Sequence, residues 1–216
     1  MKSYPVTIVD NFFDNPDEIR DLALSLNYPD HNSSWPGRRS LRIENINRSL
    51  FHHIGNKIFS IFGKEPPETW DITMQFQRIK PFSENKWDIK NLGWVHNDRN
   101  VLFGGIIYLN KNPDRDTGTS IYKAKRGIYD HTREQYAMKT SLYSGEDINI
   151  DEYTKHFNEY NNQFVDTIKV DNFYNRLLLF GGDVQHGVRT YGTEERLTLA
   201  FFCHEAYEWV NPLMRY

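Results

Sequence analysis

Apolar positions recur with two different periods along this chain, and the change between them divides it. Ile19, Leu22, Ala23 and Leu26 fall at helical spacing behind Asn15-Pro16, a cap followed by a residue suited to the first helical turn. A second helix is predicted from near Asn47, with Leu50, Phe51, Ile54, Ile58 and Phe62 on one face and Gly63 as its stop. Val6–Val9 reads as a short strand, and Asn27 to Gly37 as a loop closing in Trp35-Pro36-Gly37. From Asp71 the period becomes two: Ile72, Met74 and Phe76 alternate with Thr73, Gln75 and Gln77. Lys80 to Asn91 is polar and interrupted by Pro81, hence a loop. Val101–Leu109, Thr119–Tyr122, Phe173–Phe180 and Arg196–His204 are again strand-like. Strands separated by long connections predict a mainly β protein with flanking helices, built as a two-sheet sandwich or jelly roll. The expected organisation is a single domain over 1–216. It has helical support to about residue 70, a β core from about 71 to 205, and an insertion at about 127–165. The insertion is polar and irregular, with a helix expected near Asp151 to Phe164. A connection that long suggests a mobile cover for a site.

Composition narrows the class. A chain of 216 residues with 15% aromatics can bury one sizeable β-rich core, and a net charge of −3 offers no global field for nucleic acid. One local basic cluster, Lys123, Lys125, Arg126 and Arg133, is either a solvated face or a grip for an anionic substrate. A single cysteine, Cys203, excludes an intrachain disulfide framework. No apolar run approaches the roughly 18 residues of a membrane span, and Met1–Pro5 lacks the apolar core of a signal peptide. A cytoplasmic enzyme is expected, without a membrane or nucleic-acid partner; its oligomeric state cannot be read from the sequence.

Three residue types in a fixed order carry the candidate chemistry. His96 and Asp98 form an HxD pair, whose members point the same way in extended chain. His186 follows far downstream, then Arg196 and, at the next same-side position, Thr198. Two imidazoles and one carboxylate bind a labile, redox-active iron(II) on one face and leave positions open for other ligands. A guanidinium fork grips a carboxylate with two hydrogen bonds, and the threonine hydroxyl can add a third. That order is what a mononuclear iron site with a keto-acid cosubstrate requires. Each element alone is weak in a chain with eight histidines. His52 and His53 sit in a helical pattern. His31, His131 and His156 lie in polar stretches, and His204 is far along its strand. Two other classes use the same ligands: a zinc hydrolase, and a metal-binding jelly-roll module without turnover. No HExxH helix and no evident glutamate base accompanies His96, which argues against the hydrolase.

From Trp94 to Glu205 the chain resembles the 2-oxoglutarate and iron(II)-dependent oxygenases. Beyond the ligands, Gly105-Ile106-Ile107-Tyr108-Leu109-Asn110 resembles the strand after the HxD in the prolyl-hydroxylase-like branch. Gly118-Thr119-Ser120-Ile121-Tyr122 resembles the next strand, with Thr117-Gly118 in place of the usual glycine pair. Asn175 to Phe180 resembles the strand leading to the distal histidine. Val9 to Phe13, Asn15-Pro16-Asp17 and Trp35-Pro36-Gly37 resemble an uncharacterised bacterial and phage subfamily. The resemblance implies a double-stranded β-helix of the cupin-like kind, with His96, Asp98 and His186 as iron(II) ligands. It implies that Arg196, with Thr198, holds the distal carboxylate of 2-oxoglutarate, with Tyr108 as a further cosubstrate contact. Dioxygen would be the co-reactant, and a small metabolite or a peptidyl residue the substrate.

Overall fold

The alternating stretch after Asp71 and the one after Arg196 meet in space. A computed structural model describes residues 6–29, 34–62, 65–127, 129–209 and 213. Met1–Pro5, His31 and Gly63, which entered the reading above, lie outside them. In chain order the elements are β1 (Val6–Val9), α1 (Pro16–Ser25), β2 (Arg38–Arg39), α2 (Ile43–Ile46), α3 (Arg48–Ser60) and β3 (Trp70–Ile79). There follow β4 (Phe103–Tyr108), β5 (Thr119–Ala124), α4 (Arg133–Ser144), α5 (Ile150–Asn161), β6 (Phe164–Val170), β7 (Leu177–Gly181), β8 (His186–Val188) and β9 (Arg196–Ala206). A six-stranded sheet has the order β1-β7-β4-β9-β3-β2, and a three-stranded sheet the order β6-β5-β8. The chain is thus mainly β with flanking helices.

The helices form where local chemistry favours them. The Asn47 side chain accepts from the Leu50 backbone N–H at 3.0 Å and starts α3. Helix α1 begins, as expected, with Asn15 at the cap position and Pro16 in the first turn, followed by Asp17 and Glu18, acids placed at the positive end of the helix dipole; the Asn15 side chain itself makes no capping bond. Phe51, Ile54, Ile58 and Phe59 of α3 and Ala23 of α1 pack on one face of the large sheet, against Met74, Phe76, Ile107, Leu179, Leu199 and Phe201. Burying each large side chain there contributes about 1.5–3 kcal/mol.

The opposite face of that sheet is set by register. Arg39 stands across from Gln77, Gln77 from Thr198, and Thr198 from Tyr108, so these four share one row. Arg196 is one row further out, across from Ile79. The short sheet covers part of this face, and its strand β8 carries His186.

The segment leading to His96 runs against β8 at backbone contact distance. Gly93 donates to the Val188 carbonyl at 3.1 Å, and a Cβ on Gly93 would stand 2.3 Å from that oxygen. Because the obstacle is backbone, Gly93→Ala is expected to cost about 1–3 kcal/mol. A denaturant midpoint unchanged from the parent protein would contradict this packing.

Candidate metal centre

His96 and His186 sit opposite one another in an antiparallel bridge. His96 donates its backbone N–H to the His186 carbonyl at 2.9 Å, and His186 returns the bond at 2.7 Å. Each ring is then oriented the same way. The His96 Nδ1 lies 2.9 Å from the Trp94 carbonyl, and the His186 Nδ1 lies 2.9 Å from the Val184 carbonyl. A carbonyl only accepts, so each Nδ1 carries the proton and each Nε2 keeps its lone pair for a metal. The His186 Nε2 is 3.5 Å from Asp98 Oδ2, and ligand atoms of His96, Asp98 and His186 all lie within 4.8 Å of one another. Phe180 braces the His186 ring, with centroids 4.1 Å apart.

The environment suits a cation between these groups. Asp98 Oδ2 is buried without a hydrogen-bond partner, a costly arrangement unless a positive charge meets it. Gly104 lies beneath it, where a Cβ would come within 3.3 Å of that oxygen. Burial holds the His96 proton affinity well below the ordinary histidine value, with the His186 and Lys139 charges acting in the same direction. A neutral imidazole is the form a metal requires.

The triad opens on a cavity of about 390 Å³. Its lining includes His96, Asp98, His186 and Arg196 among the residues expected from sequence. Arg196 is buried; its Nε donates to the Thr117 carbonyl at 3.0 Å, while its Nη2 is buried with no partner. Burial pushes its proton affinity down, with the Tyr108 and Tyr191 hydroxyls opposing that shift. Thr198 and Tyr108 stand beside Arg196 on the same sheet face but not on the cavity wall. The Thr198 hydroxyl is buried without a partner, and the Tyr108 hydroxyl donates to Thr119 Oγ1 at 2.8 Å.

Among the polar wall residues not anticipated as site residues are Arg39, Lys139, Tyr143 and Tyr191. Arg39 lies over the Trp35 ring at 4.6 Å, and burial pushes its proton affinity down to about 10. Lys139, from α4, is buried, and desolvation pushes it down to about 8. Tyr143 and Tyr191 share a hydroxyl–hydroxyl hydrogen bond of 3.0 Å on the wall. The signal for α4 was present in local chemistry rather than in apolar period. Thr132 and Gln135 form a capping box, and Gly145 ends the helix in the left-handed region at φ 75°.

The insertion is therefore two helices rather than an irregular stretch with one. Leu142, Tyr153, Phe157, Tyr160 and Phe164 form a second apolar cluster around Trp94 and Val95. The Trp94 Nε1 donates to the Tyr153 hydroxyl at 2.9 Å, and the Asn161 side chain bonds the backbone of Gly93 and Val95. The segment is a wall of the cavity, anchored to the stretch that carries His96.

His131, set aside above as one of a polar stretch, also lines the cavity, stacked on Tyr160 at 4.1 Å. Burial, with the Lys139 charge in support, pushes it down to about 4. The folded state therefore binds the His131 proton less readily than the unfolded chain does. Its contribution to stability is complete above pH ~6.5 and is lost as pH falls towards about 4, by at most roughly 3 kcal/mol. His131→Gln is expected to flatten this part of the stability–pH curve; an unchanged slope would refute the burial argument.

The remaining candidates lie elsewhere. His52 and His53 are exposed on α3, His156 Nδ1 is 3.9 Å from Glu159, and His204 Nε2 is 3.1 Å from Thr73 Oγ1. Lys123, Lys125, Arg126 and Arg133 are exposed and do not line the cavity. Arg189 is held by Asp171 at 2.9 Å.

Known structures share this architecture. HygX from Streptomyces hygroscopicus, solved with nickel and 2-oxoglutarate bound, aligns at 13% identity and a TM-score of 0.56, over 96% of this chain and 85% of that one. An oxidoreductase of the 2OG-Fe(II) oxygenase family from Burkholderia pseudomallei aligns at 14% identity and 0.55, over 98% and 89%. A prolyl hydroxylase from Trichoplax adhaerens, in complex with a peptide fragment of the hypoxia inducible factor oxygen degradation domain, aligns at 14% and 0.53, over 93% and 84%. At these identities the likeness establishes a common fold. Comparison with curated protein sequences finds no match. One family model, described as a family of unknown function (DUF6445), matches residues 1–195, a span that includes His96, Asp98 and His186 and stops just before Arg196. With nearly its whole length inside that match, the chain belongs to the DUF6445 family.

Proposed function

We propose that this protein is an iron(II)- and 2-oxoglutarate-dependent dioxygenase that hydroxylates a small metabolite or a peptidyl residue. The carrying observation is the triad itself: two imidazoles with Nδ1 fixed on backbone carbonyls, and a buried carboxylate oxygen left without a donor. His96, Asp98 and His186 would hold the metal. Two sheets with the triad between them support reading the fold as a double-stranded β-helix, a single oxygenase domain over residues 1–216. Arg196 would grip the distal carboxylate of 2-oxoglutarate with its unpartnered Nη2, and Thr198, whose hydroxyl is equally unpartnered, stands ready to assist. Tyr108 shapes the same end, with the Arg196 guanidinium 5.4 Å from its ring centroid.

Bound there, iron with 2-oxoglutarate and dioxygen supplies hydrogen abstraction and oxygen insertion, the cosubstrate leaving as succinate and carbon dioxide. The chain's own part is to place and to screen. Val184 and Trp94 carbonyls keep both imidazoles in the ligating tautomer. The α4–α5 wall and Trp94 keep bulk water from the reacting face, which protects a reactive oxidant from side reactions. Among the described residues, Asp98 is the only carboxylate on the cavity lining, so no second acid is at hand as the base of a zinc hydrolase. The single cysteine, Cys203, is free and buried, in keeping with the reducing, cytoplasmic setting we propose. Among the described residues no helix is long and apolar enough to cross a membrane.

The test is an anaerobic titration with iron(II) and 2-oxoglutarate, followed in the visible charge-transfer band, then admission of oxygen. Succinate formed in proportion to oxygen supports the proposal. Absence of both the band and succinate would refute it.

A further inference from the structure

The charges on the cavity wall do not balance. Arg39, Lys139 and Arg196 face a single carboxylate, Asp98. Under the function proposed above, a divalent metal and a dicarboxylate cosubstrate bring opposite charges of equal size, and Arg196 is matched to the cosubstrate. Arg39 and Lys139 remain. Among the described residues neither has an ion pair or a side-chain hydrogen bond, and the Arg39 Nε is buried without a partner. Natural proteins seldom bury cations unmatched, because desolvation is expensive.

The two residues also form one place. Arg39 shares a row with Gln77 and Thr198, and its guanidinium leans over Trp35 and, at 5.4 Å, over the Phe202 ring. Lys139 enters from α4, opposite the sheet. Phe202, whose ring lies under Arg39, pairs with Gly104 of β4, the residue beneath Asp98. Asp98 is the acid that favours the charged form of both cations, whereas the groups acting on Arg196 are Tyr108 and Tyr191. Arg39 and Lys139 therefore belong to the metal side of the cavity, apart from the cosubstrate end. Trp35 and Tyr136, 38% and 51% exposed, stand at the rim as apolar surfaces for the rest of a ligand.

We infer that Arg39 and Lys139 form an anion subsite that holds a carboxylate or phosphate group of the substrate beside the metal. The exposed basic cluster at Lys123 to Arg133 plays no part in it. Resting on the dioxygenase reading, this narrows the substrate class to small molecules or side chains that carry an oxyanion. A fork and a point charge together fix such a group in orientation as well as position. A cavity of about 390 Å³, at the small end for ligand sites, leaves modest room beside the cosubstrate.

The experiment loads the full chain with manganese(II) and 2-oxoglutarate without oxygen and titrates inorganic phosphate and, separately, acetate. Binding near the metal is read as saturable relaxation of the phosphorus or methyl resonance. Arg39→Gln and Lys139→Met are each expected to weaken anion binding about tenfold or more, while 2-oxoglutarate affinity stays within about twofold. Lys139→Arg should retain binding, which separates loss of charge from loss of fold. Tighter phosphate than acetate would assign a phosphorylated substrate, and the reverse order a carboxylate. Anion binding unchanged in both charge-removing variants would overturn the inference. So would a parallel loss of 2-oxoglutarate affinity, since the two cations would then serve the cosubstrate. If the parent protein binds the anions through Arg39 and Lys139 but takes up no 2-oxoglutarate, the subsite stands and the dioxygenase reading falls.

Discussion

His186→Ala protein is expected to take up no iron(II) in an anaerobic titration at concentrations that saturate the parent. Removing the imidazole leaves His96 and Asp98, and two ligands from one short segment cannot define the three-point face that a labile divalent metal needs. Without the metal, Asp98 Oδ2, which has no hydrogen-bond partner among the described residues, stays an uncompensated buried oxygen. His96→Ala should behave alike. Asp98→Ala could keep some metal on the imidazole pair but should form no succinate. Full iron stoichiometry in both histidine variants, measured on desalted protein, would refute the assignment of the triad.

Arg196→Ala is the second large effect. The metal should still bind, because Arg196 touches none of its ligands. The 2-oxoglutarate requirement should rise on the order of a hundredfold or more, since breaking a buried charge pair costs about 3–5 kcal/mol. Lysine at this position should recover only part of the affinity, because it offers a point charge where the cosubstrate meets a fork. A wild-type 2-oxoglutarate dependence in the alanine variant would remove the role. Arg189 would not inherit it, being held by Asp171 and the Arg115 carbonyl.

Much of this site could be read before the structure because its residues lie on elements with strong periods. Alternation places Arg196 and Thr198 on one face, and the register of β9 against β3 and β4 makes that face the one towards the cavity. The short strands could not be seen. β2 has two residues and β8 three, too few for any pattern. Helix α4 was hidden for another reason: Leu142 is its only aliphatic residue among the buried ones, the others being Gln135 and Lys139. Arg39 and Lys139 carry no motif. Their significance comes from desolvation and from a wall that sets a single carboxylate, Asp98, against three cations among the described residues, properties of the folded chain that a linear sequence does not display.

The order of strands in the large sheet has a kinetic consequence. Apart from β2 with β3, every neighbouring pair joins strands that are not consecutive in the chain. Such pairings carry a high loop-closure cost before they return any stabilisation, so the sheet should close late and slowly. His96 and Asp98 lie far ahead of His186, which is held opposite His96 by their backbone bridge and by the Gly93–Val188 hydrogen bond next to it. A complete metal site thus arises only when the sheets have come together. During folding the chain presents half a site, with too few ligands to retain redox-active iron, and competence for oxygen chemistry comes with the finished fold.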